Sequence, residues 1–440
     1  MKLKKLFAMS FAFIITGNLL PISQNISDNV ISTAYAEPEK MIIYDDNDES
    51  NSISEKNGTI TDEKNNITYK TNGKYLTLVK CDPSTSGQIN IPDMIDDLPV
   101  KRIGGGAFKG CSQITGVSIP DTVLSIGYTA FYECDKLKTI SLGKKLEEIG
   151  SQAFYKCLSL EKIDIPDSVS SISYDAFIQC ENLKSLTLGK GITEIKANTF
   201  SNCRSLEKVV IPDSVTYIGN GAFLGCNLTS VKLSKNTKII DGFAFGNNTR
   251  LKSITFPSSV ETIGFKAFCC CNSLESVICD KNVSKIDITA FYSCANMKSL
   301  TIKNPVCNFT FGMRNDPITI DELNANGYAP ITDHIVIKGY TNSTAETVAQ
   351  KYGFRFSALP TYGDPTADGK INSVDASEIL SIYAKNAQNK SKPSSDDLEC
   401  CDINKDDAVN AVDASYILAY YAYTATNKNP VSLTDYMKKK

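Results

Sequence analysis

Two stretches near the C-terminus carry oxygen-bearing side chains at matched spacing. The first holds Asp364, Thr366, Asp368, Asn372 and Asp375. The second, 38 residues further on, holds Asp402, Asn404, Asp406, Asn410 and Asp413. Counted from the first Asp, these are positions 1, 3, 5, 9 and 12, and the seventh position adds a backbone carbonyl from Lys370 or Ala408. A short loop with oxygens at those places, three of them carboxylates, is what a hard Ca2+ ion requires. Two such loops imply two ions.

Other chemistry has less material. The chain of 440 residues has one His, His334, and no Trp, so any site built on a histidine pair is excluded and the best stacking platform for sugars is missing. A thiol hydrolase would need His334 beside a Cys. The nearest in sequence, Cys307, has nothing around it that marks an activated thiol. Glycoside hydrolysis needs two carboxylates facing one another ~5–10 Å apart across a cleft, and nothing in the sequence implies a cleft. With 22% charged residues and a formal balance of −3, neither nucleic acid nor an anionic membrane surface is an expected partner.

The loops must be held by helices. Each is followed by an apolar run at helical spacing: Ile379, Leu380, Ile382 and Tyr383, then Ile417, Leu418, Tyr420 and Tyr421. The two runs open with the same Val-Asp-Ala-Ser-x-Ile-Leu, Val374 to Leu380 and Val412 to Leu418. A duplicated loop and helix of this kind resembles the type I dockerin, a small all-α calcium-binding domain that docks onto cohesin modules of extracellular, cellulosome-like scaffolds. The Asp at position 12, in place of the Glu of EF-hands, suits that family. The resemblance implies cohesin contacts at Ser373, Val374, Leu380, Ser381 and Lys385 in the first copy, and at Ala411, Val412, Leu418, Ala419 and Tyr423 in the second. For Leu380 and Leu418 the apolar spacing favours helix core instead. The second set is the more apolar, so the two faces are expected to differ. Two departures stand out. Thr366 replaces the usual Asp or Asn, so loop one should bind more weakly. Asp407 replaces Gly at position 6, where φ > 0 is expected and Asp is better tolerated than most residues.

The middle of the chain is periodic. Phe recurs at 108, 131, 154, 177, 200, 223, 245, 268 and 291, in steps of 23 residues except one of 22. Cys follows three residues after each Phe, save for Asn248, and segments such as Leu160-x-x-Ile163-x-Ile165 run in step. One such unit cannot bury its apolar face alone, whereas stacked units share a continuous core. Strands of successive coils should pair in parallel, and at ~4.8 Å per strand nine coils give a rod of about 40–45 Å. The pattern Ile165-Pro166-Asp167-Ser168-Val169, repeated at Ile211-Pro212-Asp213-Ser214-Val215, resembles the BspA-like leucine-rich repeat family. The fold class is therefore a β-rich leucine-rich repeat solenoid followed by a small all-α domain.

Eight of the 15 Cys are repeat positions. They read either as buried thiols packing like small hydrophobes or as a stack of disulfides between coils, and the Asn rung favours thiols. Charge alternates between coils, as in Lys138, Glu161, Lys184 and Glu207, which suits register-setting more than ligand recognition. Ile-Pro and Leu-Gly turns alternate likewise, so the unit of duplication is two coils, 46 residues. The outward strand rows, such as Ser118, Ser141, Asp164, Thr187 and Val210, are rich in small hydroxyls and lack aromatics.

The N-terminus has Lys2, Lys4 and Lys5, an apolar run from Leu6 to Leu20 and an Ala34-Tyr35-Ala36 cleavage pattern, the features of a secretory signal. The expected organisation is a signal peptide (1–36), a disordered acidic lead-in (37–58), an N-terminal cap (59–101), the solenoid (102–305), a closing segment (306–360), the dockerin (361–427) and a tail (428–440). The expected protein is secreted or scaffold-associated, is not inserted in a membrane after cleavage, and is not an enzyme. It would dock onto a cohesin and offer its rod to a protein, cell-surface or polysaccharide ligand. The alternatives are a dockerin-bearing polysaccharide hydrolase and an inhibitor or immunity-type interaction protein.

Overall fold

The computed structural model describes residues 58–310 and 335–440. The signal peptide, the lead-in up to residue 57 and His334 lie outside the described residues.

Between them the repeats build a solenoid of about 11 coils, more than the nine marked by Phe. Extra rungs come from both flanks. On the N-terminal side, strands Thr59–Asp62, Ile67–Thr71 and Leu76–Cys81 form an antiparallel meander, and Leu76–Cys81 then pairs in parallel with Leu98–Ile103. On the other, Val336–Gly339 and Arg355–Ala358 extend the stack in parallel beyond Ser299–Ile302. Helix α1 (Thr344–Tyr352) packs beside them and buries Ala345, Ala349 and Tyr352.

Each coil contributes to two parallel rows, not the single sheet the sequence indicated. One row holds the three-residue strands, for example Lys162–Asp164 against Ser185–Thr187. The other holds two-residue strands, Ser125–Ile126, Glu148–Ile149 and Ser171–Ile172, each paired in register one repeat apart. In both rows the residues facing inward are mostly Ile, Leu or Val, and the outward ones are mostly polar, with Val210, Ile239 and Ile278 as exposed apolar exceptions, in line with a two-residue side-chain alternation.

The core is a set of ladders. Consecutive repeat phenylalanines, from Phe108 to Phe291, stack with ring centroids 4.7–5.5 Å apart and ring planes within 13°. All nine are buried. Beside them the Cys thiols are free and point at the backbone: Cys157 Sγ, for instance, donates to the Phe131 carbonyl of the preceding coil at 3.2 Å. No described Cys is disulfide-bonded. The thiol reading of the ladder therefore holds among the described residues. In most coils the Phe is flanked two residues either side by left-handed backbone. Gln152 and Lys156 bracket Phe154 at φ 54° and 55°, and Gly106 and Gly110 bracket Phe108. Each non-Gly residue held there costs about 1–2 kcal/mol, offset by ladder bonds on both sides.

The C-terminal region is helical. Helices α2 (Ser373–Asn389) and α4 (Ala411–Thr426) pack on one another, joined through α3 (Ser395–Cys401). Ile379, Ile417, Ala376, Ala414, Cys401 and Val409 form their core. Helix α5 (Leu433–Met437) lies within the expected tail and closes this core. Leu433 is buried, Tyr436 packs on Tyr420 and Tyr423, and Tyr420 Oη donates to the Val431 carbonyl at 2.9 Å.

Candidate functional site

The two acidic loops have the same backbone. Position 4 is left-handed in both, Ala367 at φ 60° and Lys405 at φ 62°, and so is position 6, Gly369 at φ 80° and Asp407 at φ 62°. Asp407 thus adopts the conformation its position demands. The first carboxylate of each loop is buried and gathers backbone donors: Asp364 accepts from the N–H groups of Asp368 and Gly369, and Asp402 from those of Asp406 and Asp407. The last carboxylate reaches back from its helix. Asp375 accepts from the Asn372 N–H at 2.9 Å and from the Thr366 hydroxyl at 2.8 Å. Asp413 accepts from the N–H groups of Ile403, Asn404 and Asn410.

Oxygen atoms of Asp364, Asp368 and Asp375 lie within 4.8 Å of one another. Burial pushes the carboxyls of Asp375 and Asp413 up, and the neighbouring Asp364 and Asp402 charges add to it. Like charges crowded in a partly buried loop fit a divalent cation. The Thr366 oxygen also lies 3.1 Å from an Asp364 carboxylate oxygen, so position 3 sits beside positions 1 and 12. In loop two the Asn404 amide donates to Asp406 at 2.9 Å. Asn372 and Asn410 serve as helix N-caps, accepting from the N–H groups of Val374 and Val412. A position 9 side chain often reaches the ion through water, which is compatible with that second duty. Lys370 and Ala408 occupy position 7, the first exposed and the second half-buried.

Beyond the loops, α2 and α4 present matching outer faces. Ser373, Val374, Ser381 and Lys385 are exposed, as are Ala411, Val412 and Ala419. Leu380 and Leu418, expected in the helix core, are 43% and 47% exposed instead. Their neighbours Ile379 and Ile417 take the core positions, because two packed helices in so small a domain bury only one stripe each. Tyr423 is half-buried against Tyr420 and Tyr436, drawn in by α5. The exposed rings are Tyr421 and, in the first copy, Tyr383, neither of which the sequence singled out as a contact.

The thiol candidate Cys307 gains no support. Cys307 is fully buried and its thiol is pushed up to about 12 by burial, the reverse of activation. Cys270 is half-exposed, and a hydrogen bond with the Cys269 thiol, aided by the Lys266 ammonium, lowers it to about 7.

On the rod, alternating charges do form cross-coil pairs, Lys138–Glu161 at 3.4 Å and Glu275–Lys298 at 3.5 Å. At the turns the aspartates act differently. Asp121, Asp167 and Asp213 each accept from the backbone N–H of the Lys one coil later, so the side chain caps a turn. The outward rows are exposed mid-rod, but Gly116 and Thr301 at their two ends are buried. Two exposed aromatics on the rod, Tyr128 and Tyr174, belong to the turn after the second strand row, outside the hydroxyl-rich outward rows.

A model of the BspA-type leucine-rich repeat region matches residues 101–228 and 216–313, in six copies. A model of the type I dockerin domain matches residues 362–420. Among solved structures, a leucine-rich repeat protein of T. pallidum is similar at 30% identity over 49% of this chain and 90% of its own, with a TM-score of 0.37. One from Bacteroides capillosus gives 30% identity over 29% and 96%, TM-score 0.26. A leucine-rich cell surface protein of Faecalibacterium prausnitzii gives 22% over 64% and 100%, TM-score 0.36. No curated protein matches. Type I dockerin domains are calcium binders. Residues 101–313 thus belong to the BspA-type leucine-rich repeat family, and residues 362–420 are a type I dockerin domain.

Proposed function

We propose that the chain is an exported, non-catalytic protein that its dockerin anchors to a cohesin of an extracellular, cellulosome-like scaffold, while the repeat rod serves as a binding surface in polysaccharide degradation. The observation that carries this reading is the duplication of one unit. An Asp-rich loop leads each time into a helix exposing Val, Leu and Tyr, as Val374, Leu380 and Tyr383 or as Val412, Leu418 and Tyr421, and in the first loop three carboxylates converge. Two Ca2+ ions are held, one by Asp364, Thr366, Asp368, Asn372 and Asp375 with the Lys370 carbonyl, the other by Asp402, Asn404, Asp406, Asn410 and Asp413 with the Ala408 carbonyl. The bound ions neutralise carboxylates that otherwise repel, so metal binding and folding of this domain are linked. The chain's own part is to preorganise each loop: its left-handed turns and the two helix caps fix the carboxylates before the partner arrives.

Exposed apolar side chains on a small helical pair are the chemistry of a protein interface, with Val and Leu as anchors and Ser373, Ser381 and Lys385 on the rim. Surface plasmon resonance on an immobilised cohesin tests the reading. Binding is expected in Ca2+ and lost in excess chelator. A Val374→Asp variant should lose less than a Val412→Asp variant, because the second face is more apolar. Binding that survives chelation would defeat the calcium assignment, and equal losses would defeat the inequality of the faces.

A further inference from the structure

Tyr128 and Tyr174 are 63% and 48% exposed on a rod whose other aromatic rings are mostly buried or half-buried. They occupy one structural position, two residues after the inward Ile of strands Ser125–Ile126 and Ser171–Ile172, two coils apart. The coil between them places Ser151 there. The separation follows from the phenylalanines of the same coils: the steps from Phe131 to Phe154 and on to Phe177 are 5.1 and 4.9 Å, putting equivalent positions about 10 Å apart.

The backbone that carries the two rings is held in a rigid frame. Gly150 packs against the coil below so closely that a Cβ there would lie 2.6 Å from the Tyr128 nitrogen. The Tyr128 carbonyl accepts from Gly106 N–H at 2.9 Å, and the Tyr174 carbonyl accepts from Gln152 N–H and from the Ser151 hydroxyl. Lys196 lies over Tyr174, 5.4 Å from its centroid, and is itself paired with Glu194. The outward strand residues alongside are Ser125, Glu148, Ser171 and Glu194, all hydrogen-bonding groups, either neutral or negative.

We infer that this face binds an extended β-1,4-linked glycan chain, with Tyr128 and Tyr174 stacking on sugar rings one disaccharide step apart. In such a chain alternate rings present the same C–H face at about the separation of two coils. A flat aromatic offers those C–H groups an apolar surface, while Glu148, Ser151 and Ser171 between the rings accept from or donate to the hydroxyls. The acidic groups argue against a polyanion and for a neutral sugar. A backbone already fixed by the coil stack leaves only the side chains to be ordered on binding. The inference deepens the reading of the rod as a binding surface and is independent of cohesin docking.

Affinity electrophoresis of the full chain in gels containing hydroxyethylcellulose, with glycogen as the α-linked control, tests it, followed by calorimetry with cellohexaose. Retardation by the β-1,4-glucan alone is expected, weakened about tenfold or more by either Tyr128→Ala or Tyr174→Ala, and largely retained in Tyr128→Phe. Circular dichroism melts of each variant, unchanged from the parent, would exclude unfolding as the cause. Absence of retardation, equal retardation by glycogen, or retardation that both alanine variants keep would overturn the inference. Cohesin binding of the same samples reports on the dockerin separately: its failure would count against the anchoring role and leave the glycan result standing.

Discussion

The side-chain oxygen of Asn248 accepts a hydrogen bond from the backbone N–H of Leu228, one coil earlier, at 3.1 Å. Elsewhere the equivalent Leu N–H bonds the carbonyl of the Cys three residues before it, as Leu206 does with Cys203. Between Cys226 and Leu228 one residue is missing, which is the source of the single 22-residue step. The turn can no longer close on itself, and the Asn of the next coil supplies the acceptor. The amide of Asn248 also donates to the Phe223 carbonyl at 3.0 Å, the bond that a thiol makes at seven other rungs.

Restoring the repeat consensus by Asn248→Cys should therefore destabilise the rod. A thiol replaces the donor but leaves the buried Leu228 N–H unsatisfied, a loss of about 1–3 kcal/mol. Urea denaturation of the variant and parent measures it. A variant as stable as the parent would show that the bond is replaced by another.

Truncating the middle of the phenylalanine ladder removes two ring contacts at once. Phe177→Ala should lose about 3–5 kcal/mol, and the stacked geometry at 4.9 and 5.3 Å on its two sides makes the upper end of that range the expectation. Phe108 has only one stacked repeat neighbour, Phe131, so Phe108→Ala should lose less. The comparison is read from denaturation midpoints.

Asp175 provides a pH test. Burial raises its carboxyl above 3.8, despite hydrogen bonds from Asn198 and Gln152. Its folded-state pKa lies above its unfolded one, so the ionised side chain opposes folding at neutral pH and that penalty vanishes as pH falls below 3.8. Asn keeps the shape and tolerates the left-handed backbone, φ 60°. Asp175→Asn should melt higher than the parent at pH 7, with the advantage shrinking on acidification. A constant difference across pH would contradict the assignment.

Position 6 of the acidic loops allows a reciprocal exchange. Asp407→Gly should stabilise the calcium-loaded domain, by up to about 1 kcal/mol, by relieving left-handed strain. Gly369→Ala should weaken the first loop by about 1–2 kcal/mol, although no atom lies within 4 Å of the added Cβ, since the loss is purely one of backbone. Calcium titrations followed by circular dichroism measure both.

Much of this architecture was legible in the sequence, for a physical reason. A solenoid repeats its burial along one axis, so Phe and Cys spacing states the core directly. The second strand row was not legible, because a two-residue Ser-Ile segment is too short to show alternation. Nor were the left-handed pairs, where Gln152, Lys156 and Asp175 give no composition signal and only Gly106, Gly110, Gly221 and Gly225 hint at the backbone. In the dockerin, apolar spacing located the helices but assigned Leu380 and Leu418 to the wrong side, since a run that is apolar nearly all round does not reveal which stripe its partner covers. The role of Tyr423 depended on α5, a contact far along the chain that no local pattern encodes.

The 46 residues from Tyr128 to Tyr174 span one full duplication unit. Such a rod is a ruler that heredity can lengthen: copying one unit in frame adds a ring at the same step and another buried Phe pair to support it. Reach along a polymer and the rigidity needed to hold that reach then grow together, without redesign of any existing coil.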